Sequence, residues 1–237
     1  MRLISLILLF LLSGTVSAQK VEWYTTTQTS PWVKQKVKPE RVTTGAEIVL
    51  DPTLRLQLIM GIGGCFNEMG WDALNALSAE DREAVLQAIF SKDGACFNYC
   101  RLPMGANDFA LSFYSSADVA GDFNLVNFNI DRDRYILIPY IKAARQINPD
   151  LRIWASPWCP PAWMKTNNHY ASAVRPSGEK DVNGLLPREA ITEFSTGFRM
   201  EEGYLKTYAD YFARFIKAYE AEGLPLECIH VQNEPCS

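Results

Sequence analysis

The stretch LRIWASPWCPPAWMKTN, residues 151–167, begins as an apolar run and ends in indoles, prolines and polar groups. The run LRIWASPW is short, without charge after Arg152, and stops where the prolines start, which reads as a buried strand opening into a loop. Three other stretches have the same form. LIMGIGGCF (58–66) leads into FNEMGWDAL, FNYCRLPMG (97–105) into ANDF, and LECIHV (226–231) into QNEPCS. In the second of these, Pro103 is expected to stop the strand.

Helical patterns lie between these runs. SAEDREAVLQAIF (78–90) carries Ser78 as N-cap with Asp81 three residues on, and an apolar face of Val85, Leu86, Ile89 and Phe90. DRDRYILIPYIKAARQINPD (131–150) reads as a helix capped by Asp131 and kinked at Pro139. EEGYLKTYADYFARFIKAYEAEG (201–223) is the strongest pattern. Leu205, Tyr208, Phe212, Phe215, Ile216 and Tyr219 share its expected buried face, and Gly223 ends it.

Four apolar strands alternating with three helices predict a parallel sheet in the α/β class, either an open doubly wound sheet or a (β/α)8 barrel. In both folds the loops after the strands share one face, where active sites collect. No Gly-x-Gly-x-x-Gly turn follows a strand, which argues against a dinucleotide cofactor, and no Gly-x-Ser-x-Gly elbow supports an open-sheet esterase. A barrel needs roughly 250 residues and eight units. Four units in 237 residues amount to half of one.

Composition narrows the partners. The chain is 48% hydrophobic with a formal net charge of −4 and no basic block, so nucleic-acid binding is not expected. Two histidines, His169 and His230, leave little for a His-built metal site, and no metal or other cofactor is expected. His230 reads as a hydrogen-bonded core residue. The leader MRLISLILLFLLSGTVSA (1–18) has an early Arg, an apolar run from Ile4 to Leu12 and a small-residue end. It reads as a secretory signal cleaved after Ala18. The run is about half the ~20 residues of a spanning helix, so stable membrane insertion is not expected. An exported protein is implied, in the periplasm, at the cell surface or outside the cell. Export permits disulfides, yet the six cysteines do not read as a framework. Cys96 and Cys100, taken as lying on one strand, stand ~13 Å apart. Residues 19–58 are polar and Thr-rich, with strand-like pieces VEWYTTTQ and AEIVLD.

The strand ends bring together carboxylates (Asp108, Glu234), amides (Asn107, Asn233) and indoles (Trp158, Trp163). Sugar recognition uses this mixture: an aromatic face for stacking, amides and carboxylates for hydroxyls, and a carboxyl group to protonate a glycosidic oxygen. The motifs FNEMGWDAL, RLPMGANDFA, ASPWCPPAWMKTN and NEP, in this order, resemble the catalytic barrel of glycoside hydrolase family 30, the glucosylceramidase and endo-β-1,6-glucanase group. The resemblance spans residues 61–236. It implies a (β/α)8 TIM barrel beside a β-sandwich side domain, with only the first four strand–helix units present in 59–237 and with 19–58 supplying strands of the side domain. It implies a retaining β-glycoside hydrolase acting on a β-glucan or β-glucoside, glucosylceramide among them.

By the same resemblance Glu234 is the general acid/base, Asn233 binds the sugar 2-hydroxyl, Asp108 binds hydroxyls on the far side of the ring, Trp158 walls the subsite, and Arg101 lies beneath the carboxylates. The nucleophile of such enzymes is a second Glu near the end of strand seven, beyond residue 237. Glu68 is the nearest spare glutamate, and strand one is the wrong place for it. A retaining mechanism needs two carboxyl groups about 5 Å apart, so residues 19–237 alone are expected to be inactive. The competing expectation is a non-catalytic carbohydrate-binding protein that ends at Ser237. The long polar segment 167–198 is expected to rim the substrate.

Overall fold

The computed structural model describes residues 21–38, 45, 51, 53–174, 183–192 and 195–234. The leader at 1–18, residues 46–50 of an expected strand, and Cys236 lie outside the described residues. The chain divides into two compact units, 1–57 and 58–237.

In the first unit, β1 (Trp23–Thr25) pairs antiparallel with β2 (Val33–Gln35). The Thr-rich turn between them holds itself: Trp32 N donates to Thr26 Oγ1 at 3.1 Å, and Ser30 N to Thr27 Oγ1 at 3.1 Å. Tyr24 stacks on Trp32 with centroids 5.2 Å apart.

The second unit is built on a parallel sheet of β3 (Tyr99–Met104), β4 (Arg152–Pro157) and β5 (Cys228–Ile229), in that order. The run at 58–66 lies along the other side of β3, parallel to it. Tyr99 N and Arg101 N donate to Ile62 O and Gly64 O, and Phe66 N donates to Arg101 O. Pro103 was expected to stop β3, but the strand continues through it to Met104. The alternation of the ladder aims the Pro103 nitrogen at the 58–66 side. That segment turns away after Phe66, so no bond is lost by the missing N–H. Beyond β5 the chain still follows β4, with His230 N on Ala155 O and Asn233 N on Pro157 O.

Among the described residues five helices cover this sheet. FNEMGWDAL, expected only as a strand-end motif, forms α1 (Glu68–Asn75), capped by Asn67, whose side chain accepts from Gly70 N at 2.7 Å. α2 (Ala79–Phe90) starts on Ser78 as expected, with Asp81 N donating to Ser78 Oγ at 3.0 Å. The expected kink is a break: α3 (Asp131–Tyr135) ends at Ile136 and α4 (Leu137–Ile147) carries Pro139 in its first turn. Pro139 cannot donate to Tyr135 O, so the ladder is interrupted there. Ile130, not Asp131, occupies the cap position, and it offers no side-chain bond.

α5 (Glu202–Ala221) is the longest helix among the described residues, and Gly223 follows it at φ +77°. Its buried face is Thr207, Tyr211, Phe215 and Tyr219, rotated from the expected one; Leu205 is exposed. The two buried tyrosines satisfy their hydroxyls: Tyr219 donates to Asp133 Oδ2 at 2.6 Å, and Tyr211 accepts from Ser116 N at 3.4 Å. The core joins Leu102, Met104, Ile153 and Ala155 of the strands to Leu86, Phe90, Leu137, Ile141, Phe215 and Tyr219 of the helices. Cys96 lies before β3 at φ +52°, not on it, and the five described cysteines are free thiols. No helix among the described residues is long and apolar enough to cross a membrane.

Candidate active site

β3, β4 and the segment after β5 end on one side of the sheet, and each delivers residues there. After β3 the chain turns at Gly105, φ +79°, where a Cβ would stand 2.9 Å from Tyr114 O. A side chain is therefore excluded twice, by conformation and by contact. The turn lets Ala106 N bond Tyr114 O at 3.0 Å, which folds the 106–117 loop back on itself. Asn107 is buried, and its Oδ1 accepts Phe109 N at 3.0 Å. Since Asn107 makes that turn, the exposed Asp108 carboxylate is not spent on it; Asp108 Oδ2 accepts Trp158 Nε1 at 3.4 Å.

Trp158 follows β4 directly. The Arg101 guanidinium, from the middle of β3, lies over its ring at 3.8 Å and over Trp154 at 4.9 Å. Arg101 donates to Ser156 Oγ at 2.8 Å and to Asn233 Oδ1 at 2.7 Å. One cation thus ties the ends of β3, β4 and β5 together. Burial lowers the Arg101 pKa, while Cys65, Glu234 and Asp108 oppose that shift; an arginine remains charged throughout. Gln232 Nε2 donates to Trp158 O at 2.6 Å and fixes the last strand against the Trp158 loop. Glu234 follows at φ +40° with its side chain exposed.

These groups enclose a hollow of about 140 Å³ lined by Asp108, Trp158, Lys165, Gln232, Asn233 and Glu234, among others. Four of the five residues singled out from the sequence therefore share one pocket, and Arg101 lies behind it, bonded to Asn233. Two further residues of the loop after β4 are built into the fold. Lys165 is 2% exposed, with Nζ donating to Tyr170 O at 2.8 Å and Ser172 Oγ at 3.1 Å, and burial lowers its pKa. Trp163 is buried and donates to Ala117 O at 2.8 Å. Gln232 was not singled out, although it precedes Asn233 and Glu234 directly. His230 is exposed rather than in the core; its ring lies 4.4 Å from that of Trp154. Burial pushes the Cys65 and Cys159 thiols up to about 11, so neither is a thiolate nucleophile at neutral pH.

Glu68 does not reach this hollow. It is 2% exposed and holds Arg132 bidentately, Oε1 to Nε and Oε2 to Nη2, both at 2.6 Å, while Oε2 also accepts Leu111 N at 2.7 Å. It anchors the 106–117 loop, with both carboxylate oxygens engaged.

Residues 59–184 match the glycosyl hydrolase family 30 TIM-barrel domain. The chain is 30% identical over 226 residues to a putative glucosylceramidase 4 of Caenorhabditis elegans, covering 94% of this chain and 40% of that protein. It is 29% identical over 187 residues to an endo-1,6-β-D-glucanase of Neurospora crassa, covering 78% and 35%. Among solved structures, an endo-β1,6-glucanase superposes with a TM-score of 0.64 at 28% identity, over 90% of this chain and 43% of that one. The chain thus spans less than half the length of these relatives.

Proposed function

The chain belongs to glycosyl hydrolase family 30, with a TIM-barrel fold, and on that premise we propose that it carries the proton-donor half of a retaining β-glycoside hydrolase site. The β3–β5 strands and the 58–66 segment are then the first four units of the barrel. The observation that carries the reading is the meeting of Asp108, Trp158, Asn233 and Glu234 in one pocket, from three strand ends far apart in sequence.

In this reading a β-glucosyl unit stacks on Trp158 and is held by Asn233 and Asp108. Glu234 gives its proton to the glycosidic oxygen, then removes one from the water that releases the sugar. Arg101 positions Asn233 and Trp158, so its charge acts on the ring through them. A second glutamate must attack the anomeric carbon. None lines the hollow among the described residues, and we place it in the part of the protein that corresponds to the rest of its relatives' length. Export through residues 1–18 belongs to the same proposal.

The 237-residue protein is accordingly expected to bind β-glucosides without cleaving them. The test is release of nitrophenol from an aryl β-glucoside by purified protein and by Glu234→Gln. No release from either is the expected result. Turnover by the wild-type chain that Glu234→Gln abolishes would show that these residues already hold both catalytic groups.

A further inference from the structure

The loop between β3 and α3 brings Asp108 to the hollow, and its shape depends on Tyr114, which is held at three points. The Tyr114 carbonyl accepts Ala106 N at 3.0 Å, which closes the 106–117 loop. The ring lies against the Arg132 guanidinium at 4.0 Å, and Arg132 is itself held by Glu68. The hydroxyl donates to Asp133 Oδ1 at 2.9 Å.

Asp133 is the member of this group that folding does not explain. It is 1% exposed, and among the described residues its carboxylate accepts only two hydroxyls, from Tyr114 and, at 2.6 Å, from Tyr219. A buried carboxylate with no cation bonded to it is costly. What it does better than an amide is to take two donors at once, one on each oxygen, so that both tyrosines point their protons at it. A protonated carboxyl cannot do so. Its O–H must be given to one tyrosine oxygen, and that tyrosine's own hydrogen then loses its acceptor. Tyr219 is fixed in α5 and fully buried, whereas Tyr114 stands in a loop with the longer bond, so Tyr114 is the partner that yields.

The surroundings set when this happens. Asp133 faces Tyr114 from the loop, Tyr211 and Tyr219 from α5, Glu68 from α1 and Arg132 from its own helix. Burial raises its pKa to about 6; the two tyrosine bonds and Arg132 oppose the rise, and Glu68 adds to it.

We infer that Asp133 is a positioning residue, whose carboxylate holds the 106–117 loop through the Tyr114 hydroxyl in the form that sets Asp108 against Trp158. The path runs from Asp133 to Tyr114, from Tyr114 O to Ala106 N, and along the chain to Asp108, whose Oδ2 accepts Trp158 Nε1. The placing of Asp108 is independent of what the hollow binds; its consequence for sugar affinity rests on the glycosidase reading.

The test is the Trp158 indole N–H signal of the sugar-free 237-residue protein, followed from about pH 5 to about pH 7.5. A step in its position with a midpoint of about 6 is expected. It should be absent in Asp133→Asn and in Tyr114→Phe, the second keeping the ring under Arg132 and removing only the hydroxyl. A merely structural Asp133 would lower the urea midpoint in both variants and leave the step in place. The inference is overturned if the wild type shows no such step, or if the step persists in Tyr114→Phe, since it then comes from a nearer group such as Asp108 or His230. Should Asp133→Asn fail to fold, Tyr114→Phe decides alone. In the second arm, methyl β-glucoside affinity of the wild type should fall about fivefold from about pH 7 to about pH 5 relative to Tyr114→Phe. Sugar binding with the same pH dependence in both proteins would also overturn the inference. A Tyr114-dependent step in a protein that binds no methyl β-glucoside at any pH would uphold the positioning role and sink the sugar reading of the hollow instead.

Discussion

Replacing Glu68 with Gln separates an anchoring role from a catalytic one. Glu68 receives three hydrogen bonds, two from Arg132 at 2.6 Å and one from Leu111 N at 2.7 Å, and is 2% exposed. Gln fills the same volume but has one acceptor atom in place of two. Its NH2 group must face Arg132 Nε in one orientation, or both Arg132 Nη2 and Leu111 N in the other, a donor against a donor. Breaking a buried ion pair from one side costs about 3–5 kcal/mol. The Arg132 side chain is 30% exposed and recovers part of its solvation, so the low end applies, about 3 kcal/mol. With a urea slope of about 2 kcal/mol/M, the midpoint should fall by about 1.5 M.

The assay is urea unfolding followed by tryptophan fluorescence, with Glu80→Gln as control. Glu80 is exposed in the first turn of α2, and its change should stay within about 0.5 kcal/mol. Hydrogen exchange at the Leu111 amide should rise in Glu68→Gln, because the ion pair that anchors its loop is weakened. A midpoint equal to that of the control, with Leu111 still protected, would refute the anchoring argument.

Two further outcomes follow from the same geometry. Arg101→Lys keeps the charge but not the fork that reaches Ser156 and Asn233 while stacking on Trp158. Loss of one charged hydrogen bond and of the stacking should weaken methyl β-glucoside binding about tenfold by titration calorimetry, and unchanged affinity would remove Arg101 from the site. Asp133, buried between Tyr114 and Tyr219, is raised by that burial to about 6 from 3.8, against the opposing hydrogen bonds from the two tyrosines. Its folded value lies above its unfolded one, so its stabilising contribution is full below about pH 3.8 and is lost as pH rises through about 6. The stability advantage of wild type over Asp133→Asn, read from urea midpoints, should shrink by about 2 kcal/mol between pH 4 and 7; a constant difference would contradict the shift.

The parallel sheet was legible because its strands are apolar runs that end abruptly in polar motifs, as at Trp158 and Asp108. What the sequence did not disclose depends on distant partners. Glu68 and Glu234 both stand near strand ends, and only Arg132, 64 residues from Glu68, marks the first as an anchor. Periodicity placed Leu205 inside α5 and left out Tyr211, because a buried tyrosine needs a hydroxyl partner, here Ser116 N, that local pattern cannot show. Pro103 reads as a stop until the neighbouring segment is seen to leave at Phe66. Local sequence shows no partner for Lys165, whose ammonium is taken by Tyr170 O and Ser172 Oγ.

The most direct measurement of the central claim is the indole N–H spectrum of the 237-residue protein, whose six tryptophans can be assigned one by one by substitution. On titration with methyl β-glucoside, the Trp158 Nε1–H signal, which faces Asp108 at 3.4 Å, should move furthest and saturate. A titration that leaves Trp158 in place while Trp23 or Trp32 shifts would put the sugar elsewhere and contradict the account.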